Sequence, residues 1–145
     1  MAVADLIESP IHDEAQAMAL LELAFAVSAV DGHLADEELA SFREIVTRVR
    51  GKHASDEDIG DLLEKFVHAS HMAGLDLRSK QVMAKIPPVL RETAYSLAYG
   101  LTLIDKERSE YEDELIADMA KQFGFDETTA KGIQARVRDK LALGT

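Results

Sequence analysis

The chain repeats one acidic pattern, and this internal repeat limits the folds open to it more than any other feature. Each copy pairs an aspartate with a glutamate seven positions later, and the second copy lies 74 positions after the first: Asp31 with Glu38, and Asp105 with Glu112. An almost wholly apolar stretch precedes each copy, at 20–30 and at 95–104. A repeat of this period indicates a duplicated helix-loop-helix unit whose two copies pack against each other.

The hydrophobic pattern predicts an all-α fold. Apolar residues recur at helical spacing along nearly the whole chain, and a bounded alternating run rich in β-branched or aromatic residues is missing. Cap residues, glycines and the Pro87-Pro88 pair divide this pattern into seven helices. With their caps, the expected spans are 13–30, 36–50, 55–74, 76–86, 87–104, 109–124 and 127–141. Asp126 is expected to cap the seventh helix.

The first and fifth predicted helices are expected to pack centrally and to be related by approximate two-fold symmetry. They are the most apolar segments, and apolar residues cover most of the circumference of the first. The residues expected to face the core from these two helices include Leu21, Phe25, Leu97, Leu101 and Ile104. Met72, in the third helix, is expected to fill the core, as methionines commonly do.

Length and charge bound the class of protein. The 145 residues fit one domain spanning 1–145 and suffice to bury a core. Acidic residues outnumber basic residues 27 to 16, which gives a net charge of −11. A phosphate backbone or an anionic membrane surface would repel most of such a molecule, so we expect no nucleic-acid partner.

No segment indicates export or membrane insertion. Residues 1–14 carry acids and lack the basic start of a signal peptide. The longest apolar run, 15–30, is short for a membrane span and is interrupted by Gln16 and Glu22. The chain has no cysteine, which excludes disulfides and thiolate metal sites and is compatible with a reducing compartment. We expect a soluble, cytoplasmic protein.

The four repeated acids have a structural and a functional interpretation. Glu38 and Glu112 begin predicted helices, where the helix dipole stabilises a carboxylate and a glutamate can complete a cap. Asp31 and Asp105 follow the ends of helices, where the same dipole disfavours a negative charge. A conflict with local preference that occurs in both copies is typical of a functional site.

If the two loops meet, the four carboxylates converge into one site. Two carboxylates about 5 Å apart repel by ~3 kcal/mol at an effective dielectric constant of roughly 20, so the cluster needs a cation, a basic partner or shared protons. Oxygen ligands favour calcium, magnesium or manganese, although the spacing is not that of an EF-hand. His33, in the first loop, either adds a nitrogen ligand or stays in solvent. The predicted metal ligands are Asp31, Glu38, Asp105 and Glu112.

A second metal-ligand spacing occurs on the third predicted helix. Glu64, His68 and His71 follow at i, i+4 and i+7, which can present three ligands on one face. That face lies opposite Leu62 and Phe66, so a solvent-exposed strip is the favoured interpretation.

The serines have no glycine elbow and no evident histidine partner, and the sequence contains no glycine-rich phosphate loop. The sequence therefore does not support nucleophilic or nucleotide chemistry.

These motifs resemble the TerB-like family of tellurite-resistance proteins. The residues that carry the resemblance are Asp31-Gly32-His33-Leu34 with Glu38, the copy from Asp105 to Glu112, and Gln122-Phe123-Gly124-Phe125. The resemblance covers nearly the whole chain and implies a helical bundle of two halves whose shared acids form a metal site. For this chain, the implied ligands are Asp31 and Glu38 with Asp105 and Glu112.

The second copy of the loop departs from the family pattern. Lys106 replaces the glycine, and Arg108 stands at the position that Leu34 holds in the first copy. Two cations in this loop could neutralise the acids without a metal ion.

The resemblance implies a stress-response or scaffold role, and no catalytic activity follows from it. Similar domains occur in membrane-anchored co-chaperones. We therefore expect a non-enzymatic stress-response protein of the tellurite-resistance type that binds a divalent metal at its Asp/Glu loops and contacts a protein partner. One alternative is an interaction module whose acidic loops are structural or dock a basic partner. Another is a carboxylate-based, metal-dependent hydrolase that uses the same four acids.

Overall fold

The computed structural model of the protein describes residues 2–28, 36–104 and 110–142, and most of these residues are helical. Within these ranges the chain forms one 3-10 helix and seven α-helices, and no β-strand. The 3-10 helix is Val3–Leu6, and the α-helices are α1 Glu14–Ser28, α2 Asp36–Arg50, α3 Asp56–Ala73, α4 Leu75–Ala84, α5 Pro88–Ile104, α6 Glu110–Phe123 and α7 Glu127–Ala142. None of these helices is long and apolar enough to cross a membrane. The predicted all-α fold is confirmed.

Local signals start and end the helices where the sequence predicted. The hydroxyl of Ser55 accepts a hydrogen bond from the Asp58 amide at 3.1 Å, and the Asp58 carboxylate accepts one from the Ser55 amide at 3.3 Å. This capping box starts α3, and Gly74, with a φ of 86°, ends it. At the start of α7, Asp126 Oδ1 accepts a hydrogen bond from the Thr129 amide at 2.7 Å, which confirms the predicted cap.

The centre of the molecule is formed by α1 and α5, as predicted. These two helices pack against each other more extensively than any other pair of described elements. The first also contacts α2, α3 and α4, whereas the second also contacts α6, α7 and the 3-10 helix. Leu21, Phe25, Leu97 and Leu101 are all buried. The two-fold relation between the halves stays a prediction.

Two residues expected in the core are exposed instead, so the predictions for them are wrong. Ile104 is 37% exposed because it is the last residue of α5, and burial decreases from Leu101 to the end of that helix. Met72 is 73% exposed. It follows the buried Phe66 by six positions and therefore lies about 120° away from it around α3, on the side that faces solvent.

The N-terminal 3-10 helix belongs to the core, which the sequence did not indicate. Its Val3, Ala4 and Leu6 are buried, and it packs against α2 and α5. Gly100 of α5 provides the space, since a Cβ at this position would lie only 3.1 Å from Leu6 Cδ1. A segment of four residues is too short to show a helical period, so this contact could not be read from the hydrophobic pattern.

Three arginines in the C-terminal half of α2 connect this helix to three other segments. The ion pairs are Arg43 with Asp56 of α3, Arg48 with Asp5 of the 3-10 helix, and Arg50 with Glu14 of α1. All three pairs are partly exposed, so each contributes little to stability.

Candidate functional site

The two repeated glutamates occupy equivalent positions in the fold. Glu38 is the third residue of α2, and Glu112 is the third residue of α6. The prediction that both lie in the first turn of a helix is therefore confirmed. In each half of the chain, this helix is the second member of a hairpin whose first member, α1 or α5, lies at the centre of the molecule.

The two repeated aspartates lie outside the described residues, as the gaps between the described ranges include 29–35 and 105–109. The same gaps contain His33 and Ser109, the first residue of the sixth predicted span. The structure thus describes the helices on both sides of each gap. The first gap separates the end of α1 at Ser28 from the start of α2 at Asp36, and the second separates the end of α5 at Ile104 from the start of α6 at Glu110. The convergence of four carboxylates on one cation stays a prediction.

The surroundings of the two glutamates differ. Glu112 is only 2% exposed, whereas Glu38 is half-buried, and each takes part in a polar interaction within the chain. A glutamate is rarely buried unless its carboxylate has partners, because loss of hydration destabilises the charged form. Glu112 therefore lies in a more enclosed environment at the start of α6 than Glu38 does at the start of α2, and the two copies are not equivalent in detail.

A fourth helix connects the two hairpins. On one side α4 packs against α1, and on the other it packs against α6, the helix that begins with the second acidic turn. Arg78 of α4 donates two hydrogen bonds to Glu22 of α1, from Nε to Oε2 at 2.5 Å and from Nη2 to Oε1 at 2.8 Å. These bonds raise the pKa of Arg78 above its ordinary value, against the opposing effect of burial. The pair is bidentate, the arrangement that a guanidinium and a carboxylate favour most.

In the sequence, Glu22 stands out only as an interruption of an apolar run. The side chain is 7% exposed, and its neighbours along α1 are buried apolar residues. A single charge within an apolar helix was the available signal, because such a charge requires a partner on another element. The sequence could not indicate that this partner is Arg78, which lies 56 positions away.

An open groove of about 480 Å³ lies between α5, α6 and α7. Tyr95 and Tyr99 line it together with Phe125, and burial raises the pKa of Tyr95. Both phenol oxygens accept hydrogen bonds from α7, from Gln134 Nε2 at 2.8 Å and from Arg138 Nη1 at 2.6 Å. These tyrosines thus serve to join α5 to α7.

The predicted strip on α3 lies at the surface of the molecule. Glu64, His68 and His71 are all exposed, as the favoured interpretation predicted. Within the described ranges, no three histidine, aspartate or glutamate side chains come together in a way that could hold a metal ion. This finding bears on α3 and leaves the acidic loops untested, because Asp31 and Asp105 lie outside those ranges.

Comparison with known proteins identifies one family. No curated protein and no solved structure matched the chain. The family described as Tellurite resistance protein TerB matches residues 14–135, a range that runs from the first residue of α1 into α7 and includes both acidic loops. The match covers most of the chain, so this protein belongs to the TerB family.

Proposed function

We propose that this protein is a non-enzymatic stress-response protein of the tellurite-resistance type that binds a divalent cation with Asp31, Glu38, Asp105 and Glu112. The cation is of the calcium, magnesium or manganese class, since all four side chains offer oxygen ligands. The loaded protein acts in the cytoplasm as an acidic scaffold for a protein partner.

The equivalent placement of Glu38 and Glu112 is the observation that carries this proposal. Each is the third residue of the helix that follows a loop aspartate, and both helices belong to hairpins built on the central pair α1 and α5. The burial of Glu112 gives further support, because an enclosed carboxylate binds a cation with less competition from water.

Calorimetric titration with calcium, magnesium, manganese and zinc tests the proposal. We expect binding of a hard ion with a dissociation constant on the order of 10⁻⁵ to 10⁻³ M. The melting temperature should rise at saturating ion, because a ligand that binds only the folded state stabilises it. The double change Asp31→Asn with Asp105→Asn should abolish both effects.

A matched control removes the same charge elsewhere. Asp61 and Asp139 are exposed on α3 and α7, and the change of both to asparagine should leave ion binding intact. If the unmodified protein shows neither heat nor stabilisation with any of the four ions, the proposed metal site is wrong and the loops are structural or dock a basic partner. Phosphatase or esterase turnover that Asp31→Ala abolishes would instead establish the metal-dependent hydrolase.

A further inference from the structure

Glu22 occupies a buried position where energetics alone favour an apolar residue, and its partner Arg78 is partly buried, with 24% of its side chain exposed. Glu22 is the one charged member of the buried stretch of α1, and Arg78 lies on a helix that packs against this stretch. Replacement of a buried ion pair by well-packed apolar residues is often neutral or stabilising, because two charges no longer need to leave water. The pair therefore calls for a role other than stability.

The geometry of the pair restricts the placement of α4. Two hydrogen bonds in a planar fork define both the distance and the orientation between the two side chains, at 2.5 and 2.8 Å. Since α4 also packs against α6, any rotation or shift of α4 on α1 displaces the surface on which α6 rests. This is the helix that begins at Glu110 and contains Glu112 in its first turn.

We propose that Glu22 and Arg78 are positioning residues that set the location of α6 relative to α1 and thereby the distance between Glu112 in the first turn of α6 and Glu38 in the first turn of α2. The inference rests on the proposed function, since it assigns the pair an indirect effect on the cation site. Neither residue is a ligand. An apolar contact between α1 and α4 can slide, whereas the bidentate pair holds a single register.

The test replaces the pair by apolar residues of similar volume, in the variant E22L/R78M. Because the chain has no cysteine, spin labels can be attached to two introduced cysteines, one replacing the exposed Glu44 of α2 and one replacing the exposed Glu114 of α6. Pulsed electron paramagnetic resonance then measures the distance distribution between the two hairpins. We expect E22L/R78M to broaden or shift this distribution while the melting temperature is maintained or raised.

Ion affinity gives the second readout. We expect E22L/R78M to weaken calorimetric ion binding by about 2- to 30-fold, as is typical of residues that act on a site without touching its ligand. Arg78→Lys keeps the charge and loses the fork, so it should fold while showing a smaller effect of the same kind. If the pair served stability alone, E22L/R78M would lower the melting temperature and the ion affinity together. The proposal instead expects the ion affinity to fall while the melting temperature is maintained or raised.

The matched control is E92L/R136M, which removes the exposed glutamate–arginine pair between α5 and α7. This variant should leave the distance distribution and ion affinity unchanged. The inference would be overturned if the distance distribution stayed unchanged in both E22L/R78M and Arg78→Lys. It would also be overturned if the unmodified protein bound an ion and E22L/R78M bound it with the same affinity. If the unmodified protein binds no ion, the proposed function fails separately, and the distance measurement still decides whether the pair positions α6.

Discussion

Asp58 stabilises the start of α3 only in its ionised form. Hydrogen bonds from the backbone and side chain of Ser55 lower the pKa of Asp58 below its ordinary value of 3.8, with smaller contributions from Lys52 and Arg50. A carboxyl whose pKa is lower in the folded state contributes stability at pH values above the unfolded pKa. This contribution is lost as the pH falls through the folded pKa.

We therefore expect Asp58→Ala to decrease the free energy of unfolding at neutral pH. The difference from the unmodified protein should shrink as the pH falls from 3.8 through the lower pKa of the folded state, because the Asp58 carboxyl then becomes protonated in the folded protein. Urea unfolding at a series of pH values measures this. Asp61→Ala, which removes a carboxylate from the same helix outside the capping box, should not reproduce the neutral-pH loss. A difference that stays constant with pH would contradict the argument.

Single residues could be predicted from the sequence when their role is local. The caps at Ser55 and Asp126 depend on a backbone amide within three positions, so the sequence around them contains the relevant information. Met72 was predicted wrongly because the prediction rested on its residue type, although its position places it about 120° from the buried Phe66 around α3. The partner of Glu22 was missed because it belongs to a distant helix.

At the level of elements, the contact between the 3-10 helix and α5 depends on a missing side chain. A Cβ at Gly100 would lie 3.1 Å from Leu6 Cδ1 and 3.4 Å from Leu141 Cδ1 and from Val3 Cγ1. All three contacts are side-chain ends, which can give by a few tenths of an ångström for one methyl group. Alanine also suits a helix interior better than glycine by roughly 0.5–1 kcal/mol. The two effects oppose each other for Gly100→Ala.

We expect the larger side chain of Gly100→Val to clash with the 3-10 helix, which packs against α5 at this position. The two extra methyl groups should displace the 3-10 helix and cost about 1–3 kcal/mol, as is typical of overpacking. Urea unfolding measures the loss, and limited proteolysis should show faster cleavage within residues 2–13. Gly60→Ala provides the matched control, because nothing lies within 4 Å of a Cβ at this helical position. It should stabilise the protein by about 0.5–1 kcal/mol; equal stability of the two variants would refute the steric argument.

Elements were predicted well where they are long and bounded by strong local signals. The bounds expected for the second helix, 36–50, are those of the structure, and Pro88 begins α5 as the proline pair indicated. The fourth helix ends at Ala84 rather than at 86, a difference of the size that fraying ends produce. The 3-10 helix is too short to show a hydrophobic period. Its burial depends on its packing against α2 and α5, which involves residues far away in the sequence.

For the molecule as a whole, the sequence predicted the parts of the candidate site better than their assembly. The constant spacing placed Glu38 and Glu112 in equivalent first turns, because helix starts follow local rules. Whether the four acids meet depends on how two hairpins pack, which involves contacts between residues far apart in sequence. The repeat predicts such packing by analogy between the halves, and the ion titration with its aspartate variants is the direct test.

The prediction of one domain has a thermodynamic consequence for the whole chain. The buried apolar residues of the 3-10 helix and of all seven α-helices belong to one contiguous hydrophobic cluster, in which Phe66 of α3 contacts Phe25 and Phe42 while Phe125 contacts Tyr95. Loss of the central contact between α1 and α5 would expose buried apolar residues of both halves. Both halves should therefore unfold together.

We expect a single cooperative transition that two probes report at the same denaturant concentration. The tyrosines, all at positions 95–111, report on the second half, and a fluorescent label on a cysteine introduced at the exposed Glu44 reports on α2 in the first half. Their urea midpoints should coincide with that of the circular dichroism signal. Leu97→Ala should lower all three midpoints together, with a loss of about 2–5 kcal/mol for a truncated core leucine. If the label and the tyrosines reported separate midpoints, or if Leu97→Ala shifted only the tyrosine signal, the halves would be independent units and the single-domain prediction would be wrong.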